Sequence, residues 1–371
     1  MPSSLPYRTR FSRTLSHQEV DRPPMDLDGT DMTGIDGGPG RLAPLLGLKT
    51  DGMNADEARE AVRQELDVDI RDVGGILEPS GSVARRISDT EMVDCWGITY
   101  RFNGHHFEAV GRPLEGATID DLGRYPWPDP EKLDPARIRR CAESARHYME
   151  ETPYVVCARH PYYGVLELGC WMCGFDDFLY RLAGEQEFVE RFFGIIMDYQ
   201  HRVDEIYYGA VGPYIHFTTS GDDFGSQNGP LLSPAMFHDM VAPCLAARIR
   251  HIHELTDAAF FHHSCGAIRP LIPDLIGAGV DILNPLQPQA AGMEPDGLKR
   301  DFGDRLTFYG GIDTQRILPQ GTTEDVAAET RGVIRALGSG GGYVLSAAHH
   351  LQEDVPAENV IAMYREGAGP A

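Results

Sequence analysis

From about Tyr154 to the C-terminus the chain repeats one rhythm: a short apolar run, a polar loop, then an amphipathic helix. The apolar runs are Tyr154–Ala158, Tyr214–Thr218, Ala258–His262, Asp281–Asn284, Leu306–Tyr309 and Tyr343–Ser346. None alternates strictly, as suits strands covered on both faces. Between them, Gln186–Tyr208 sets Phe188, Phe192, Ile195, Tyr199, Val203 and Ile206 at spacings of three and four, one apolar stripe of a helix. Ser233-Pro234 supplies an N-cap and a first-turn proline for a helix running to about Leu255. Further helices fit Ala267–Ile276, Thr323–Leu337 and Pro356–Arg365. Strands that alternate with helices imply parallel βαβ units. No GxGxxG turn follows a strand, so a closed (β/α)8 TIM barrel is expected rather than a doubly wound open sheet.

The N-terminal part obscures the rhythm. Residues 1–40, rich in Pro, Gly, Asp and Thr, are expected to form an arm around a single barrel domain of residues 41–371. Asp26 and Asp28 are placed at the end of a first barrel strand, and the alternation around Trp96–Phe102 predicts a hairpin inserted over Arg86–Gly111. His105 and His106 fall in that hairpin and are expected to be exposed.

Charge and cysteine content narrow the partners. A net charge of −23 over 371 residues repels nucleic acid and anionic lipid. No apolar run reaches a membrane-spanning length, and the polar Met1–Arg13 has no secretory apolar core. Seven cysteines make no disulfide framework, so a reducing cytoplasm is the expected location.

The chemistry gathers just after the strands. Successive runs lead into Ser220-Gly221-Asp222-Asp223, His263-Ser264-Cys265-Gly266, Asn284-Pro285-Leu286-Gln287, Gly310-Gly311-Ile312-Asp313 and Ala347-Ala348-His349-His350. In a barrel these loops share one mouth. His263 and Cys265, two apart at a strand end, share a face and are zinc-type donors; His349 or His350 closes the set. Read blandly, Cys265 is a small buried apolar residue and the histidines are hydrogen-bonded core groups. Asp222 and Asp223 are candidates for proton handling, or one of them stabilises its turn. Tyr163, Glu167, Gln227, Asn284, Gln287 and Asp313 are expected to line the pocket. Cys170-Trp171-Met172-Cys173 has CxxC spacing but no second pair, so it reads as a buried helix face.

The segments His263–Ile268, Gly279–Gln287, Phe308–Asp313 and Gly341–Val360, with Asp21-Arg22-Pro23-Pro24, resemble the uroporphyrinogen decarboxylase superfamily. That resemblance implies a (β/α)8 barrel. The arginine-rich segment by which the porphyrinogen decarboxylases hold substrate carboxylates is missing. The chain looks closer to the branch that transfers methyl groups with corrinoid proteins, whose members with thiol acceptors bind zinc through His-x-Cys and a later cysteine. His263 and Cys265 match the pair, and His349 stands where the later cysteine is expected. The implied activity is methyl transfer with Zn2+ on His263, Cys265 and His349, and with Asp222, Asp223 and His349 in catalytic roles. Expected partners are a small-molecule methyl donor or acceptor, a separate protein carrying the methylcorrinoid and, as a homodimer, a second copy. A metal-free decarboxylase-like lyase using His349 and a non-catalytic corrinoid or tetrapyrrole binder are the alternatives.

Overall fold

The computed structural model describes residues 5–104 and 107–369. Seven parallel strands form one curved sheet: β1 (Ile70–Gly74), β6 (Val155–Arg159), β7 (Phe217–Thr218), β8 (Ala259–His263), β9 (Ile282–Leu286), β10 (Thr307–Gly310) and β11 (Tyr343–Val344), neighbours in that order. Met25 fills the gap between the two edges. It pairs in parallel with Leu345, and the Asp69 amide donates to its carbonyl at 2.9 Å. The ladder is thereby closed, with Met25 bridging its two edge strands. The segment expected as an arm thus contributes a strand position at Met25, with Asp26 directly beyond it, where a first barrel strand was expected to end.

The inside of the barrel is a packed layer rather than a pore. Ile70, Val155, Cys157, Phe217, Phe261, Ile282, Tyr309 and Val344 meet there, all fully buried. Phe11, on the helix Tyr7–Leu15, stoppers the strand-start end, its ring 5.2 Å from that of Phe217. Asp69, just before β1, holds the N-terminal segment in place: its buried carboxylate accepts from Arg10 and Arg22, each at 2.6 Å, and from the Met25 amide at 2.9 Å.

The strands expected from the rhythm lie within a few residues of the observed ones. β1 escaped notice because Arg71 and Asp72 interrupt its apolar run; they leave opposite faces of the strand and both are paired, Arg71 with Glu60 and Asp72 with Arg59 and Arg63. The expected hairpin is a four-stranded antiparallel sheet of β2 (Arg85–Arg86), β3 (Glu91–Val93), β4 (Thr99–Phe102) and β5 (Phe107–Gly111). β2 and β3, of two and three residues, are too short to show alternation. His105 and His106 lie outside the described residues. The helix opened by Ser233-Pro234 widens into a π-helical turn over Phe237–Val241, because Pro243 lacks the amide that would continue the regular ladder. Cys170 and Cys173 are buried on the helix Val165–Cys173, as the lone CxxC suggested. No helix among the described residues is long and apolar enough to cross a membrane.

Candidate metal centre at the barrel mouth

β8 delivers His263 and Cys265 to the strand-end face, and the loop after β11 delivers His349. One donor atom from each of the three lies within 4.8 Å of the others. The Nε2 of His263 is 3.4 Å from the Cys265 sulfur, and the two imidazole centroids are 5.6 Å apart at 67°. Ligands about 2.0–2.3 Å from a tetrahedral zinc ion sit about 3.3–3.8 Å apart. The sulfur–nitrogen pair is already at that spacing, and a side-chain shift of about 1 Å brings His349 to it.

The protonation of His263 is set by its neighbour. Its Nδ1 lies 2.6 Å from the Oδ1 of Asn284, whose amide nitrogen donates to the Tyr309 carbonyl at 3.1 Å. That bond turns the amide oxygen toward the imidazole, so Nδ1 carries the proton and Nε2 presents its lone pair to the mouth. Gln287 treats the sulfur similarly: its oxygen accepts from the Gly266 amide at 2.7 Å, and its NH2 lies 3.4 Å from the Cys265 sulfur. Burial, then the charge of Asp223, holds the Cys265 thiol well above its ordinary pKa. Burial, then His263, pushes His349 down to about 4. The protein alone therefore presents a thiol and a neutral imidazole. A divalent cation would reverse the first and suit the second, since a coordinated thiol is deprotonated. The donor set fits zinc.

The two adjacent aspartates divide their work. Asp222 is buried and accepts from the amides of Leu166 at 3.0 Å and Glu167 at 2.7 Å, capping a helix whose own N-cap, Gly164, has no side chain. A Cβ on Gly164 would overlap the Asp222 carboxyl. Burial still dominates those bonds and lifts Asp222 to about 7. Asp223 faces the mouth: its Oδ1 accepts from the Cys265 amide at 2.7 Å and lies 3.6 Å from the His263 Nε2. Glu167 stands beside them, its carboxyl pushed well up by burial and then by the charges of Asp223 and Asp222.

Asn284 and Gln287 are thus in the site, as supports of the donors. Tyr163 sits by Glu167 with its ring edge-on to Trp171. Gln227 is exposed and donates to the Gln289 carbonyl. Asp313 is buried and accepts from the Gln315 amide and the Gln289 side chain. Both tie loops together at the rim. Sequence reasoning passed over Arg159 and His160, although Arg159 ends β6 and His160 directly follows it. Arg159 is held by Asp28, Asp31 and Asp72, and the His160 Nδ1 is 3.1 Å from the Thr219 hydroxyl. Above His349 opens a cleft of about 1110 Å³ lined by Asp36, Phe102, His350, Glu353 and Asp354. Phe102 comes from the inserted sheet, which stands over the mouth as a roof.

A solved structure titled "methyltransferase from Methanosarcina mazei" superposes with a TM-score of 0.66 at 15% identity, covering 98% of this chain and 99% of that one. It shares the fold. No curated protein matches by sequence. The family described as Uroporphyrinogen decarboxylase (URO-D) matches residues 112–367, most of the chain. The match takes in all six apolar runs and all three donors of the candidate centre, so the chain belongs to the uroporphyrinogen decarboxylase (URO-D) family.

Proposed function

We propose that this protein is a zinc-dependent methyltransferase that exchanges a methyl group between a small molecule and a corrinoid carried by a separate protein. The observation that carries the reading is the convergence of His263, Cys265 and His349 within 4.8 Å. These three residues would hold the zinc. Bound there, zinc supplies Lewis acidity: it ionises an acceptor or polarises the heteroatom that bears the methyl group.

The surrounding residues serve that chemistry. Asn284 keeps the His263 proton on Nδ1, and Gln287 steadies the sulfur. Asp223, partly exposed beside both donors, is the group positioned to exchange a proton with a ligand in the mouth. Glu167, whose carboxyl is pushed well up by burial and then by Asp223 and Asp222, is suited to donate a hydrogen bond rather than repel an incoming anion. Asp222 orients Glu167 through the helix it caps. With one thiolate in place of two, the centre is more positive by one charge and acidifies a bound group more strongly. The methyltransferase title of the similar structure agrees with this reading.

Elemental analysis of the purified protein tests it. About one zinc per chain is expected in the wild type, and loss of zinc in Cys265→Ala with the fold retained by circular dichroism. Wild-type protein that takes up no zinc overturns the reading. Carbon dioxide release from a carboxylated substrate by metal-free protein favours the lyase alternative instead.

A further inference from the structure

The cleft that leads down to His349 has a chemical bias of its own. Its roof is the four-stranded sheet, whose two faces differ. Phe102 is directly opposite Phe107 in the β4–β5 ladder, with ring centroids 5.4 Å apart. On the same face, Tyr100 is opposite Met92 on one side and Ala109 on the other. The opposite face carries Arg101 between Glu91 and Glu108. Phe102 lines the cleft, so the apolar face is the one turned toward it. Phe102 and Phe107 remain 39% and 41% exposed, a cost for an aromatic pair. The floor and rim are acidic: Asp36, Glu353 and Asp354 line the space, all exposed at their tips, and no lysine or arginine does so among the described lining residues. Asp36 also accepts from His350 at 2.8 Å, which keeps its carboxylate directed along the wall.

We propose that this cleft recognises an organic cation of the methylated-ammonium class, its methyl-bearing head lying between Phe102, flanked by Phe107, and the Asp36, Glu353 and Asp354 carboxylates. A methylated ammonium spreads its charge over its methyl groups. It therefore satisfies aromatic faces and apolar contact at once, while the carboxylates balance its charge. A neutral apolar ligand uses the roof alone, a small metal ion the rim alone, and an anion neither. The cleft ends at His349, so the same cation is the small-molecule ligand of the candidate centre. This proposal rests on the methyltransferase reading for its role and on the cleft alone for its chemistry.

Isothermal titration with choline tests it, alongside the uncharged isostere in which carbon replaces the quaternary nitrogen, and propanesulfonate as the anion. Each is run on zinc-loaded and on chelator-treated protein. Choline is expected to bind both forms, about 5- to 30-fold tighter than its isostere. Propanesulfonate is expected not to bind the chelator-treated form. Phe102→Ala weakens choline by about 3-fold to 10-fold, and Phe107→Ala, which removes only the ring flanking Phe102, weakens it less. Glu353→Gln combined with Asp354→Asn weakens it and flattens its salt dependence. These four residues are surface-exposed, so the variants fold. The proposal is overturned if choline does not bind, if the isostere binds as tightly, or if the roof variants leave choline unaffected. Failure of the zinc reading is separate, since it shows in the metal content and not in the cation preference of the chelator-treated protein.

Discussion

The Nδ1 of His263 meets the Oδ1 of Asn284 at 2.6 Å, and this contact decides which nitrogen faces the mouth. Removing the acceptor frees the imidazole to turn and to change tautomer. Asn284→Ala is expected to weaken zinc binding by about 10- to 100-fold while the protein stays folded. Competition with a metallochromic chelator measures it, and an unchanged affinity would show that the amide is a bystander.

Gly266 adopts φ +88°, and a Cβ there would lie 2.6 Å from the Gly225 carbonyl carbon and from the Ser226 oxygen. Both are backbone atoms and cannot swing aside. Gly266→Ala is therefore expected to destabilise by about 2–5 kcal/mol and to spread the loops that carry Cys265 and Asp223. Denaturant unfolding reads the first effect and metal content the second.

Asp94 gives the roof a pH dependence. Burial lifts its carboxyl to about 6, against the bonds it accepts from the Ile98 and Trp96 amides. A raised carboxyl favours the folded state below its unfolded value, near 4, and that contribution is lost as pH climbs through 6. The shift corresponds to about 3 kcal/mol. Asp94→Asn should thus gain stability relative to wild type between pH 4.5 and pH 7.5, as followed by urea melts at the two pH values (about 4 and 6 bound the window). A constant difference would mean that the carboxyl ionises normally.

Phe11 is expected to matter for stability and not for chemistry. Phe11→Ala opens the strand-start end of the barrel and should cost about 3–5 kcal/mol. Zinc content should be unchanged, because the donors lie at the opposite end. A loss of metal in a folded Phe11→Ala protein would contradict this separation of the two ends.

The legible parts of the chain were those written in local spacing. Phe188 to Ile206 on one helix, and the apolar runs of β6 to β11, each declare themselves within about twenty-five residues, because helix and strand periods are properties of short segments. Where tertiary pairing masks the pattern, reading failed. Arg71 and Asp72 hid β1 because their charges are neutralised by Glu60, Arg59 and Arg63, and the first two strands of the roof were too short to show their period. Gln227 and Asp313 stand at the mouth end of the barrel and also make contacts between loops, which no local spacing announces.

The amino-acid order by itself determined the alternation of strands and helices, the family and the short list of donors, since each rests on residues close in the chain. Which of two neighbouring aspartates caps a helix and which faces the metal donors was decided only by folding, for adjacent side chains leave the backbone in different directions. The meeting of His349 with His263 and Cys265 was decided there too. It depends on Met25 closing the sheet beside Leu345, a contact between the two ends of the chain that no local period encodes.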